Sequence, residues 1–134
     1  IDLKYELNGV MTDQPFSANH RILSTVSYSP ISKSWSVSAG LNWFGKQKIP
    51  STISNPVQYQ IPSESKPYTL INAQVNKNFN QFEIYAGVEN LLDFRQDNPI
   101  ISADDPFGPY FDTSLVWGPT KGRELYAGFR FLLN

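Results

Sequence analysis

The sequence contains no cysteine, a single histidine and no long apolar run. The lack of cysteine excludes a disulfide framework and a thiolate metal site within these 134 residues. His20 has no second histidine or carboxylate at ligand spacing, so we interpret it as a loop residue before a strand and expect no metal and no cofactor. Nucleophilic catalysis would have to pair a serine with this one base, so we expect no enzyme.

Charge and hydropathy narrow the functional classes further. The net charge is −1, which provides no broad electrostatic reason to bind nucleic acid. No run approaches the ~18 apolar residues of a membrane helix. The absence of such a run does not exclude transmembrane β-strands, because a strand of this kind exposes only every second side chain to lipid.

Two loop segments superficially resemble ligand-binding motifs. Residues 118–123 (GPTKGR) lack the spacing of a phosphate-binding loop, and a strand pattern rather than a helix follows them. Asp104, Asp105 and Asp112 lack the spacing of an EF-hand calcium loop. We interpret the first as a turn and the aspartates as solvated loop residues.

Six segments alternate apolar and polar residues with a period of two, which predicts strands. From Trp35 to Trp43 the odd positions are Trp, Val, Ala, Leu and Trp, and the even positions are Ser, Ser, Gly and Asn. We predict strands at 2–7, 21–28, 34–44, 68–77, 81–89 and 122–133, each paired antiparallel to the next. No segment has a helical period, so the predicted class is all-β.

The connections alternate between short and long. Tight turns are predicted at 30–33 and 78–81, and long loops at 8–20, 46–67 and 91–122. Structureless loops longer than ~12–15 residues are uncommon in compact soluble domains. The alternation places every tight turn at one end of the sheet, as in outer-membrane barrels with short periplasmic turns and long extracellular loops.

The apolar face of the third strand has a length that fits a bilayer. Trp35 and Trp43 are separated by about 26 Å at ~3.3 Å per residue. Tilted by ~40°, this span covers about 20 Å of the membrane normal, close to the ~25 Å apolar band between aromatic girdles. We therefore predict that both tryptophans are membrane-interface aromatics; a sandwich strand with two core tryptophans is the alternative.

Each strand assigns its residues to one of two faces. One set should share an exposed outer face: Val37, Ala39, Leu41, Ile84, Ala86, Val88, Phe129 and Phe131. Glu83, Glu89, Glu124 and Arg130 should lie on the opposite face and form a salt-bridged ladder between neighbouring strands.

Four segments resemble TonB-dependent outer-membrane receptors. FEIYAGVENLLDFR, from Phe82, and GRELYAGFRF, from Gly122, are similar to the last two strands of that family. Residues 14–21 (QPFSANHR) and 67–70 (PYTL) resemble the starts of two earlier strands. The chain departs from the pattern at its end, because many members end on an aromatic residue and this chain ends on Asn134.

The resemblance implies a barrel of about 22 strands with an N-terminal plug. Residues 1–134 would supply only its last six or so antiparallel, up-and-down strands, without the plug and the energy-coupling segment. The implied function is ligand-gated import of a scarce nutrient such as a siderophore, haem, cobalamin or an oligosaccharide. The implied location is the outer membrane of a Gram-negative bacterium, with the lipid bilayer and TonB as partners.

The last long loop is the predicted ligand-contacting segment. Its aromatic residues suit a ring-bearing or apolar ligand. The candidates are Phe107, Tyr110, Phe111 and Trp117; the alternative is that they pack on neighbouring loops or on the barrel rim. Two other functions stay open: a soluble all-β ligand- or carbohydrate-binding module with Trp35, Trp43 and Trp117 as platforms, and a structural barrel without transport.

Overall fold

The computed structural model describes residues 4–7 and 9–131. Seven strands follow one another along this part of the chain, so the predicted all-β class is confirmed. They are β1 (Lys4–Leu7), β2 (Val10–Asp13), β3 (Arg21–Tyr28), β4 (Trp35–Phe44), β5 (Tyr68–Asn78), β6 (Phe82–Glu89) and β7 (Glu124–Phe131). A single turn of 3-10 helix, Val57–Tyr59, precedes β5. In the described residues, no helix has the length and apolar character needed to cross a membrane.

Five strands form one open antiparallel sheet in the order β3-β4-β5-β6-β7. They correspond to the strands predicted at 21–28, 34–44, 68–77, 81–89 and 122–133, and their ends differ from the predicted ones by at most two residues. Each pairs with the next strand along the chain, as expected. The first two residues of the strand predicted at 2–7 and the last two of that predicted at 122–133 lie outside the described residues.

The pairing predicted for the first strand is wrong. β1 pairs with β2 in a separate two-stranded sheet, with Lys4 opposite Asp13 and Leu7 opposite Val10. The predicted loop at 8–20 therefore contains a strand that the alternation analysis missed. Gly9 has a φ of 78°, in the left-handed region that glycine enters without steric penalty. It follows Asn8, and Asn-Gly is the strongest short-range signal for a hairpin.

Short and long connections alternate along the sheet as the sequence predicted. The turn between β3 and β4 is closed by the Lys33 amide, which donates to the Pro30 carbonyl at 2.9 Å. The turn between β5 and β6 is closed by the Phe79 amide, which donates to the Phe82 carbonyl at 2.8 Å. Because the strands are antiparallel, both turns lie at the same end of the strands, and the connections 45–67 and 90–123 leave from the other end.

The chain divides into two compact units. The sheet unit consists of Ile22–Trp43, Thr69–Phe94 and Lys121–Asn134, and therefore contains most of the five-stranded sheet. The loop unit consists of Ile1–Arg21, Phe44–Tyr68 and Arg95–Thr120, and therefore contains the β1–β2 hairpin and most of the long connections.

The loop unit has its own hydrophobic core. Ile49, Ile101 and Leu115 are buried together, with Tyr59 and Trp117 among the residues packed against them. Segment 46–49 is held on both sides by backbone hydrogen bonds, from the Phe16 amide to the Lys48 carbonyl at 3.0 Å and from the Ile49 amide to the Ser63 carbonyl at 2.8 Å. The long connections are therefore ordered by packing, although they contain almost no regular secondary structure.

Two buried glutamines join distant segments of the loop unit. The Gln96 side chain accepts hydrogen bonds from the amides of Trp117, at 2.8 Å, and Gly118, at 3.0 Å, and donates to the Leu115 carbonyl at 3.1 Å. Gln47 donates from its side chain to the Trp117 carbonyl at 3.2 Å. Buried amides are stable only when they are paired in this way, so the two side chains fix the path of residues 115–118.

Candidate functional site

One face of the five-stranded sheet is apolar and open to solvent. In the paired strands it consists of Ala73, Val75 and Lys77 on β5, Phe82, Ile84, Ala86 and Val88 on β6, and Leu125, Ala127, Phe129 and Phe131 on β7. Leu125 is 79% exposed and Phe129 is 68% exposed. The predicted grouping of the β6 and β7 residues on one face is confirmed. On these two strands the face is exposed except at Phe82 and Val88, which are half-buried. We call this surface the apolar face.

Strand β4 extends the same face. The Asn76 side-chain amide donates to the Ser36 hydroxyl at 3.0 Å, so Ser36 shares the polar side of the sheet with Asn76. Val37, Ala39 and Leu41 therefore lie on the apolar side with Val75, as predicted. Val37 and Ala39 are exposed, whereas Leu41 is half-buried.

The burial pattern of this sheet is the reverse of that in a soluble sheet. Along β4, Trp35, Val37 and Ala39 are exposed and the intervening Ser36 and Ser38 are half-buried. A soluble antiparallel sheet turns its apolar side to a core and its polar side to water. An apolar surface of this extent on a soluble protein marks a binding or membrane-contact surface.

Aromatic side chains gather at the short-turn end of the sheet. Tyr28 and Trp35 pack with ring centroids 5.4 Å apart, and Phe79 stacks on Phe82 at 4.4 Å. Phe131 lies next to Phe82, with centroids 6.4 Å apart. We call these five residues the turn-end belt. Of the five, only Trp35 was predicted from the sequence to be an interface aromatic.

The second predicted interface aromatic lies at the opposite end of β4. Trp43 occupies the same face as Trp35, eight positions along the strand, and is half-buried. The interface role of both tryptophans stays a prediction.

The other face of the sheet carries a polar network. The Tyr126 hydroxyl donates to the Gln74 side chain at 2.7 Å, and Gln74 donates to the Asn76 side chain at 2.7 Å. The Asn76 side chain also donates to Ser36, so these hydrogen bonds join residues of three strands, β4, β5 and β7, across this face. A cavity of about 360 Å³ lies on this face and is lined by Gln74, Asn76, Glu83, Tyr85 and Arg130.

The predicted salt-bridged ladder is correct in only one of its rungs. Arg130 donates to Glu83 at 3.0 Å across the β6–β7 pair. Glu89, however, lies directly opposite Glu124, which is a pair of like charges. The cation next to Glu124 comes from the preceding loop, where Lys121 approaches it to 3.2 Å. The ladder was wrong there because side-chain alternation assigns a face but not the cross-strand partner.

Two glycines on the polar face leave room for tyrosine rings. Gly87 is directly opposite Tyr126, and Gly128 is directly opposite Tyr85. A Cβ atom at either glycine would lie closer than 3.0 Å to the facing ring. The tyrosines therefore lie across the strand backbone, where they fill the space of the missing side chains.

Motif residues of the last two strands form a clasp at the base of the final loop. Asn90 is buried, and its side chain bonds both the amide and the carbonyl of Phe94, at 3.0 and 2.7 Å. The Asp93 carboxylate accepts the Arg123 amide at 2.7 Å, and the Arg123 side chain donates to the Leu91 carbonyl at 2.9 Å. These residues carry the family resemblance, and in the structure they join the two ends of the loop.

The predicted ligand-contacting aromatics do not form one cluster. Phe107 is fully exposed at 100%, and Phe111 is exposed. Tyr110 stacks on Tyr59 with centroids 5.4 Å apart. Trp117 packs against the core of the loop unit and lies 5.9 Å from the Tyr68 ring. Tyr110 and Trp117 therefore pack on neighbouring loop residues, which was the alternative to ligand contact. Ligand contact by any of the four aromatics stays a prediction.

Within the described part of the chain, no group of three or more His, Cys, Asp or Glu side chains could hold a metal ion. Comparison of the chain with known protein families, with curated proteins and with solved structures finds no match.

Proposed function

We propose that this chain belongs to an outer-membrane β-barrel of the TonB-dependent receptor class, in which the five-stranded sheet crosses the bilayer. The observation that carries the proposal is the exposed apolar face, whose polar opposite side is half-buried. In this proposal, lipid covers the apolar face. In barrels of this kind, the residues of each strand alternate between lipid and a polar interior.

The distribution of aromatics and charge supports the same environment. The turn-end belt occupies the end of the strands where a periplasmic interface would lie, and barrels carry aromatic girdles at both interfaces. Among the apolar-face residues on β5–β7, Lys77 is the only charged one; its ammonium group lies 6.0 Å from the centroid of the Phe79 ring. A lysine near the end of a strand can extend its ammonium group to the interface.

The two edges of the sheet support a larger assembly. β3 and β7 are the first and last strands of an open sheet, and all eight residues of β3 are exposed. Unpaired strand edges invite pairing with further strands, and closing a barrel removes them. In the proposed barrel, β3 and β7 each pair with a further strand of the wall, and the polar network faces the interior.

The soluble carbohydrate-binding module is the weaker alternative. Its three tryptophans would have to form a platform, but Trp117 packs into the core of the loop unit. Trp35 and Trp43 are eight residues apart on one strand, about 26 Å, which is too far for a single binding surface.

Cell fractionation tests the location. The complete protein, expressed in a Gram-negative host, should appear in the outer-membrane fraction and migrate differently in SDS gels with and without heating. Recovery as a soluble monomer would contradict the proposal.

Nutrient-limited growth tests import. Deletion of the protein, or loss of TonB, should remove growth on one scarce nutrient, such as a ferric siderophore, haem, cobalamin or an oligosaccharide supplied alone. A protein that is located in the outer membrane but supports growth on none of them would instead be a structural barrel.

A further inference from the structure

The loop unit contains a cleft of about 370 Å³ that none of the predicted ligand residues lines. It is formed by two segments, 58–61 and 98–104, that are distant in sequence. Its volume is near the lower limit of the ~300–1,000 Å³ typical of small-molecule sites. The residues that matter for its chemistry are Gln58, Tyr59, Asn98, Ile100, Ser102 and Asp104.

The walls of the cleft are fixed by packing. Ile101 belongs to the buried core of the loop unit, and its backbone pairs with Asp112 in both directions, at 2.9 and 3.2 Å. Tyr59 is held from behind by its stack on Tyr110. A site with walls this constrained loses little entropy when a ligand binds.

The lining is neutral apart from one carboxylate. Gln58, Asn98 and Ser102 supply both donors and acceptors, and Asp104 supplies acceptors alone. No lysine, arginine or histidine lines the cleft. Two lysines elsewhere in the loop unit are ion-paired, Lys46 with Glu64 at 3.0 Å and Lys66 with Asp97 at 3.2 Å.

This composition selects against anionic ligands. A carboxylate or phosphate in the cleft would lie beside Asp104 with no lining cation to compensate its desolvation. Hydroxyl groups, by contrast, need adjacent donors and acceptors, which amide side chains provide. Tyr59 and Ile100 offer an apolar wall for the C–H face of a ring.

We infer that this cleft binds a neutral, hydroxyl-rich ligand the size of one or two sugar rings. The inference rests on the proposed function in taking the cleft as the receptor's ligand site, and it narrows the substrate to neutral saccharides among the nutrient classes.

The test is binding by the complete protein in detergent to a panel of probes. The panel contains neutral mono- and disaccharides (glucose, galactose, mannose, maltose, cellobiose and lactose) together with citrate and inorganic phosphate. At least one neutral sugar should bind, and the two anions should not. Binding of an anion without any sugar, or of no probe at all, would overturn the inference.

Four variants at three positions locate the bound sugar. Gln58→Ala and Asp104→Leu each remove hydrogen-bonding groups and should weaken sugar binding about tenfold, which is the order of the net contribution of one hydrogen bond. Tyr59→Phe keeps the stack on Tyr110 and should weaken binding less than Tyr59→Ala. Gln81→Ala, an exposed glutamine next to β6, is the matched control and should bind normally. Unchanged binding in all cleft variants would contradict the assignment.

The outcome separates this inference from the proposed function. A protein that fractionates with the outer membrane but binds no sugar disproves only the inference about the cleft. A soluble protein that binds sugar through Gln58 and Asp104 disproves the membrane proposal and leaves the cleft as a saccharide site.

Discussion

Leu115 and Leu125 differ in solvent exposure, and the difference reflects how the two units of this chain place their apolar side chains. Leu115 is 6% exposed in the core of the loop unit, and Leu125 is 79% exposed on the apolar face of the sheet. The loop unit follows the rule for proteins in water, with aliphatic residues inside. The sheet reverses it, because its apolar residues are exposed and its polar side is more protected.

Polar side chains differ between the units in the same way. The loop unit buries isolated amides such as Gln96, each of which secures one stretch of backbone. The sheet instead gathers its polar side chains on one face, where they bond one another across strands. In the proposed barrel, the loop unit would meet water, and the sheet would have a polar interior on one side and lipid on the other.

The largest expected effect compares the two leucines directly. Leu115→Ala should destabilise the loop unit by about 2–5 kcal/mol, because it opens a cavity in a packed core. Leu125→Ala should cost much less, because an exposed side chain leaves no cavity. Hydrogen exchange over residues 95–120 and 124–131 of the complete protein measures both. Equal losses of stability in the two variants would mean that Leu125 is packed as tightly as Leu115.

A charge on the sheet tests which face meets lipid. Ala39→Arg should reduce barrel stability in lipid by about 2–4 kcal/mol, since the charge would lie near the bilayer midplane. Ser38→Arg, one residue away on the opposite face, is the control and should cost far less. Denaturant unfolding in lipid vesicles gives the difference; a larger loss for Ser38→Arg would reverse the two faces.

Removal of a buried amide should affect the loop unit alone. Gln96→Ala leaves the Trp117 and Gly118 amides without their acceptor and should cost about 1–3 kcal/mol. The loss should appear as faster hydrogen exchange at residues 115–118, while the exchange of β6 and β7 stays unchanged. Faster exchange throughout the sheet would show that the two units do not open independently.

The smallest expected effect concerns the ion pair on the polar face. Arg130 is largely exposed, so its bond to Glu83 should contribute only ~0.2–1 kcal/mol, as exposed pairs do. A double-mutant cycle with Glu83→Gln and Arg130→Gln measures the coupling, which should fall further at high salt. A coupling well above this range would indicate that the polar face is shielded from bulk water.

The strands of the sheet could be predicted from sequence because the alternation of neighbouring residues is enough to identify a strand. A period of two assigns each residue to a face whatever its partner, so Ile84, Ala86 and Phe129 were grouped correctly before any pairing was known. Cross-strand partners are set by register, and there the prediction failed at Glu89 and Glu124. The β1–β2 hairpin was also missed, although the Asn-Gly pair at 8–9 signals it.

The loop unit could not be predicted in the same way. Its core unites Ile49, Ile101 and Leu115, which are separated by up to 66 positions and follow no period. Gln47 and Gln96 have no local feature that distinguishes them from exposed glutamines. Trp117 was predicted to contact a ligand because loop aromatics suggest binding; its ring packs against this core, and ligand contact stays a prediction.

The central claim is that the apolar face meets lipid, and a cysteine scan of β4 tests it most directly. The chain has no native cysteine, so single cysteines at positions 35–43 can each carry a spin label in the complete protein in bilayers. Collision with oxygen, which is concentrated in lipid, should peak at the odd positions, and collision with a water-soluble nickel complex should peak at the even positions. Loss of this alternation, or oxygen maxima at Ser36 and Ser38, would contradict the account.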